Sequence, residues 1–131
     1  MLPVRPELSA GRPAASGRVP RSIAGAVDAL ETFLNGRYSV TAMHREWPVS
    51  LRHANGQEMH GWIDLLVQTP DGWVIVDHKT HRTADPASVA TYFGPQLGHY
   101  RRAVEQATGS PVVETLVHFV LLGAVYKVGE E

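Results

Sequence analysis

The chain has no cysteine, which excludes disulfides and thiolate metal sites and fits a reducing compartment. No apolar run is long enough to cross a bilayer, and the N-terminus lacks the apolar core of a signal peptide. A protein of the cytoplasm, with no membrane partner, is expected. Charge of one sign is also missing: 12 Lys and Arg against 13 Asp and Glu leave a formal net charge of -1. No global basic field advertises nucleic acid, although charge can still be concentrated locally. There is no Gly-rich phosphate loop, so this segment does not hydrolyse ATP by itself. No Ser-His-Asp elbow motif is visible either. Lysine is scarce, with Lys79 and Lys127 beside ten Arg. A chain that meets its charge needs with Arg, yet carries Lys at 79, points to a use there for a compact ammonium.

What is present suits one mixed domain. The 131 residues are 44% apolar, enough for a core, and 19% charged. Residues 1–20 are rich in Pro, Arg, Gly, Ala and Ser without periodicity, which predicts a disordered tail or linker ahead of a domain over 21–131. Ser22 is a candidate cap for a helix to about Asn35-Gly36, with Ile23, Val27, Leu30, Phe33 and Leu34 as its apolar stripe. Tyr38 to Arg52 reads as a strand, with a bend expected at Pro48. Ala54-Asn55-Gly56-Gln57 is a hairpin turn signal, and Met59 to Thr69 the next strand. Pro70-Asp71-Gly72 is a second turn before a strand from Trp73 to Lys79, whose consecutive apolar residues predict burial on both faces. Ala87 to Ala107 is helical in period, with Val89, Tyr92, Phe93, Leu97, Tyr100 and Val104 on one side and a break at Gly94-Pro95. Thr115 to Leu122 is expected as a core strand and Ala124 to Val128 as a short return strand. The order is α-β-β-β-α-β with a further short strand, an α/β domain with an antiparallel meander at its centre.

The chemistry lies where the apolar strand Trp73-Val74-Ile75-Val76 runs into Asp77-His78-Lys79. Charge at the end of a central strand is costly unless paired or bound to metal. Residues two apart on a strand share a face, so Asp77 and Lys79 project together. A two-residue loop at Pro70-Asp71 places Asp64 of the preceding strand directly opposite Asp77, with Cβ atoms roughly 5 Å apart. Two carboxylates that close repel unless one is protonated or a cation lies between them. With oxygen ligands the expected cation is Mg2+, for which Mn2+ can substitute. Lys79 beside them can orient the attacking water or neutralise charge developing on phosphorus, which is metal-assisted hydrolysis of a phosphodiester. Seven His make no recognised zinc spacing. His78 alternates away from Asp77, so its side chain is expected to pack or cap. His81, Arg82 and Arg101 are candidate contacts for DNA phosphate.

Gly61-x-Ile63-Asp64, thirteen residues ahead of Asp77-x-Lys79 and followed by Gln96-x-x-x-Tyr100, resembles the PD-(D/E)-x-K nuclease superfamily. More narrowly, it is similar to the RecB-like nuclease domain at the C-terminus of UvrD-type helicase-nucleases, over about Ser22 to Val128. The resemblance implies a restriction-endonuclease-like core with a central mixed sheet flanked by helices. It implies a Mg2+-dependent deoxyribonuclease acting on single-stranded or unwound DNA in recombination and repair, with a UvrD-type helicase, fused or separate, as partner. Asp64 and Asp77 would bind metal, joined by the backbone carbonyl of His78, and Lys79 would be the catalytic lysine. Glu46 matches the acid on the family's first strand and is a further metal candidate. Gln96 and Tyr100 match the helical motif beside the active site, facing DNA. One departure stands out: residues 1–43 contain no His, whereas many RecB-like domains carry a metal-binding His on an upstream helix. A copy truncated upstream would account for it. So would the alternative function, a catalytically silent docking or DNA-guiding module of a helicase complex.

Overall fold

The computed structural model describes residues 23–80 and 82–128. The expected tail over 1–20, and His81, lie outside the described residues. Helix α1 (Ile23–Arg37) forms over the apolar stripe, with Leu30, Phe33 and Leu34 buried. Tyr38 leaves it with its N–H on the Leu34 carbonyl and its hydroxyl on Glu114. Tyr38 therefore belongs to the helix exit, and strand β1 starts later than its apolar pattern predicts, spanning Ala42–Arg52.

Strands β2 (Glu58–Thr69) and β3 (Gly72–Lys79) complete the antiparallel meander. Asn55 Oδ1 accepts the Gln57 N–H at 2.9 Å in the first turn, the local bond that favours Asn there. In the second turn Thr69 pairs with Gly72 across Pro70-Asp71, the two-residue loop expected from sequence. Val74, Ile75 and Val76 are all fully buried, as a strand covered on both faces must be. Helices α2 (Pro86–Tyr92) and α3 (Gly94–Thr108) then divide at Phe93, beside the expected Gly94-Pro95 break. The division overturns one expectation: Tyr92 leaves the apolar side on which Leu97, Tyr100 and Val104 are buried, and is 77% exposed. Gly109 closes α3 in the left-handed region at φ 72, where a Cβ would be strained.

Strand β4 (Val112–Phe119) lies parallel to β3, and β5 (Ala124–Lys127) antiparallel to β4. β4 begins three residues earlier than expected because Val112 pairs with Trp73, and ends earlier because residues 120–123 make the turn into β5. The sheet order is β1-β2-β3-β4-β5, so the expected α/β architecture with a central mixed sheet is present. α1 covers one face, packing with Leu65, Val67, Val76 and Leu116. α3 covers the other, packing with Leu66, Ile75, Val117 and Phe119.

The β1–β2 ribbon does not keep one alternation along its length. Leu65 packs in the α1 cluster, whereas Ile63, two residues away, packs in the α3 cluster. The switch falls at Glu46, a non-Gly residue in the left-handed region at φ 51, between the pairs Arg45↔Leu65 and Trp47↔Ile63. Pro48, where a bend was expected, sits in register opposite Trp62. The irregularity lets the far half of the hairpin curl over α3, and it leaves Asp64 at the turning point.

Candidate active site

The β2–β3 ladder stops at Leu65↔Val76, and one more step of the same register would pair Asp64 with Asp77. At that step β2 leaves β3. The Asp64 carboxylate fills the gap, its Oδ2 accepting the backbone N–H of His78 at 2.7 Å. The acid thus takes over a strand donor that a continued ladder would have used.

Asp77 and Lys79 share a face of β3, as the strand period requires. Lys79 Nζ sits 2.9 Å from Asp77 Oδ2, with the side chains 16% and 13% exposed. The approach is an ion pair off the hydrogen-bonding axis, and Asp77 Oδ2 is a buried oxygen with no hydrogen-bond donor. Burial pushes the Asp77 carboxyl above its ordinary range; Lys79 opposes this, and the neighbouring Asp64 reinforces it. A buried carboxylate oxygen short of a donor, beside a second acid, suits a hard divalent cation. Among the described residues no three His, Cys, Asp or Glu side chains cluster, so further ligands to such an ion must come from backbone, water or substrate.

Two residues of α3 close the site from above. Tyr100 is 8% exposed, and burial, then the charges of Asp77 and Asp64, raise its hydroxyl pKa. Its ring packs against Gly61, where a Cβ would come within 2.8 Å of the hydroxyl oxygen. That close approach explains the glycine three residues before Asp64. Gln96, exposed on the first turn, donates to the Tyr100 hydroxyl at 3.3 Å, so the two share a helix face as their spacing predicts.

Phe93 is a member of the site that sequence reasoning did not place. Lys79 Nζ lies over its ring, 3.5 Å from the centroid, a cation–π contact that fixes the amine. An aromatic directly before the Gly94-Pro95 break was the signal that could have found it. Behind the sheet, the His78 ring packs as expected, with Nδ1 2.9 Å from Nδ1 of His118. Burial, with His78 beside it, lowers the His118 pKa to about 3, so it stays neutral near pH 7.

The other candidates are spread out. Glu46 is exposed in the register row of Asp64, without a ladder pair. Arg82 is exposed three residues beyond Lys79. Arg101 is not brought to the acid pair: it donates to the Val112 carbonyl at 2.8 Å, at the opposite end of β3.

The sequence as a whole agrees with this geometry. The family model of the PD-(D/E)XK nuclease superfamily matches residues 3–127. The chain belongs to that superfamily. Its α/β core, a mixed five-strand sheet with helices, is restriction-endonuclease-like, and the RecB-like resemblance drawn from sequence is borne out by the relatives. An ATP-dependent helicase/nuclease subunit from Oceanobacillus iheyensis is 34% identical over 96 residues, 59% of this chain and 8% of that protein. The protein of the same name from Carboxydothermus hydrogenoformans is 45% identical over 67 residues, 49% of this chain and 6% of that one. That of Desulforudis audaxviator is 36% identical over 97 residues, 63% of this chain and 8% of its own length. The chain spans less than a tenth of each of these relatives. Among the described residues no helix is long and apolar enough to cross a membrane.

Proposed function

We propose that this PD-(D/E)XK domain is a divalent-metal-dependent deoxyribonuclease that hydrolyses phosphodiester bonds in single-stranded or unwound DNA, in the service of recombination and repair. One observation carries the reading: a buried Asp77 oxygen without a hydrogen-bond donor, beside Asp64, with the Lys79 amine 2.9 Å away. Asp64 and Asp77 would hold Mg2+, or Mn2+ in its place. An extended residue points its N–H and C=O to the same side. The His78 carbonyl therefore faces the strand edge where its N–H meets Asp64, and can be a third ligand. The chemistry such an ion supplies when bound is polarisation of the phosphoryl group and activation of water.

The protein's own groups do the rest. Lys79, held by Asp77 and the Phe93 ring, presents its ammonium to the attacking water or to charge developing on phosphorus. Tyr100 fixes the Gln96 amide, and the remaining donor and acceptor capacity of that amide would serve the backbone of a DNA strand. Arg82 and His81, following β3, are proposed phosphate contacts. Glu46 would act on the ion through water. Arg101, committed to Val112, serves the fold. The relatives' name joins a helicase to a nuclease. Carried over to this chain, it makes a UvrD-type helicase, fused or separate, the proposed partner, in the cytoplasm.

A second reading is a catalytically silent DNA-guiding or docking module. It is favoured by the absence, among the described residues, of a third clustered metal-ligating side chain. Mn2+ titration decides between them. The nuclease reading expects a Mn2+-dependent rise in melting temperature, reflecting a stabilisation of about 2.7 kcal/mol at a hundredfold excess over Kd. It also expects single-stranded DNA to be cut, with cleavage abolished by Asp64→Ala, Asp77→Ala or Lys79→Ala in chains that still fold. Absence of both the shift and any nicking at high protein concentration establishes the silent module. Equal cleavage by wild type and Asp77→Ala overturns the site.

A further inference from the structure

Tyr92 is the most exposed large apolar or aromatic side chain of the described surface, at 77%. Its place in the fold is not that of an incidental surface residue. It ends α2, and its ring stands perpendicular to the Phe93 ring, with centroids 5.1 Å apart. Phe93 in turn lies 3.5 Å beneath Lys79 Nζ, which is 2.9 Å from Asp77 Oδ2. One ring therefore separates an open aromatic surface from the reactive amine. Laid end to end, 3.5 Å and 5.1 Å bound the gap between the Tyr92 ring and the ammonium to within about three base-stacking rises of ~3.4 Å.

We propose that Tyr92 is a base-stacking residue that selects single strands: its open face takes an unpaired base a few nucleotides from the scissile phosphate. The inference deepens the nuclease reading, on which the meaning of the site rests. Charge supports it. Phosphate contacts dominate affinity in most DNA-binding proteins, but here the net charge is -1, and Arg37, Arg45, Arg52, Lys79 and Lys127 are already in ion pairs. With no net positive charge and these five cations engaged, stacking adds to what phosphate contacts such as Arg82 supply to strand binding. Stacking also discriminates where phosphate contacts do not. A base inside a duplex has both faces covered by its neighbours, whereas an unpaired base can lay one face on Tyr92. Phe93, held between the amine and Tyr92, fixes the distance from stacked base to cleaved bond.

The test is a binding measurement in EDTA, so that cleavage does not interfere, with the 131-residue chain and a fluorescently labelled thymidine oligonucleotide. Three probes are compared: the intact strand, a hairpin duplex, and a strand of the same length made of abasic residues. Tyr92→Ala is expected to weaken binding of the intact strand by roughly 5- to 150-fold, the range for losing one base–aromatic stack. Tyr92→Trp retains it. Duplex binding, and binding of the abasic strand, do not respond to either variant. The exposure of Tyr92 keeps these variants folded, which melting curves check. The proposal is overturned if wild type fails to bind the intact strand, if Tyr92→Ala binds it as wild type does, or if the loss is the same on the abasic strand. The nuclease reading fails separately: Tyr92-dependent binding without cleavage in Mg2+ or Mn2+ sinks that reading and leaves the stacking, and cleavage without Tyr92 dependence does the reverse.

Discussion

Asp77 on β3 and Glu114 on β4 are acids of nearly equal exposure, 13% and 11% for their side chains, on neighbouring parallel strands. Their surroundings are opposite. Arg37 grips Glu114 with two nitrogens at 2.9 and 3.1 Å, the Tyr38 hydroxyl donates to it, and Lys127 lies 3.1 Å from its other oxygen. Burial pushes the Glu114 carboxyl up, but these donors outweigh it and hold it below the usual carboxylate range. Burial pushes the Asp77 carboxyl up as well; its one cation, badly aligned, does not outweigh that, and a second acid beside it adds to the rise, so it is held above that range. The same sheet completes one buried acid from three directions and leaves the other short. Glu114 fastens the end of α1 to β4 and β5. Among the described residues nothing completes Asp77 in this way, a shortfall by which a candidate site differs from a staple.

The sharpest way to break this contrast is to neutralise each acid in turn. Asp77→Asn should abolish cleavage while leaving the melting temperature equal to wild type or higher, because a poorly solvated charge is removed. Glu114→Gln should leave cleavage per folded molecule unchanged and cost about 2 kcal/mol, the range for stranding partly solvated cations, or roughly 6–10 °C in melting temperature. Paired melting curves and cleavage assays check both. If Asp77→Asn costs as much stability as Glu114→Gln, Asp77 and Lys79 are a structural ion pair and the contrast is gone.

The two acids should also differ in the sign of their pH dependence. A folded-state pKa below the ordinary 4.5 means that Glu114 stabilises the fold above that pH and loses the contribution as pH falls below it. The gap between wild type and Glu114→Gln should then be constant near neutrality and close on acidification below about pH 4.5. Asp77, raised from 3.8, binds its proton more readily folded than unfolded, so its charge weighs against the fold above its pKa and is relieved as pH falls. Wild type and Asp77→Asn should converge from the opposite side. Metal-free melting from about pH 3.5, below the ordinary values of both acids, to about pH 7, well above them, reads both signs in one series.

The end of β3 that carries Asp77 was more legible in sequence than the end that Glu114 fastens. Apolar residues at 73–76 met charge at 77 and 79, and Pro70-Asp71-Gly72 fixed the expected register, although the ladder ends at Leu65↔Val76, one step short of pairing Asp64 directly with Asp77. Gln96 and Tyr100 declared a shared face by spacing alone. The rest depended on contacts between distant segments. Nothing local marks Tyr38 as a partner of Glu114, 76 residues away, and the strand pattern accordingly ran too far back. The parting of β2 from β3 at Asp64 follows from the curl at Glu46, a backbone event with no signature in a run of strand-forming residues. Phe93 and Tyr92 fall on one apolar stripe by sequence because helical period assumes one continuous helix. The division at Phe93 sent the first ring under Lys79 and the second into solvent.

The smallest expected effect tests whether the Glu114 end is a network or a single pair. Tyr38→Phe keeps the ring that packs beside α1 and removes one donor, while Arg37 and Lys127 still reach both carboxylate oxygens. Because the acceptor stays satisfied, the cost should be about 1 kcal/mol, an ordinary net hydrogen bond, with cleavage untouched. In the Glu114→Gln background the same substitution should cost less, since the charge that strengthens the hydroxyl bond is gone. No cost in either background would mean that Tyr38 stabilises by packing alone. Glu114 would then be an Arg–Lys ion pair, and the difference between the two acids would narrow to the number of cations each has within reach.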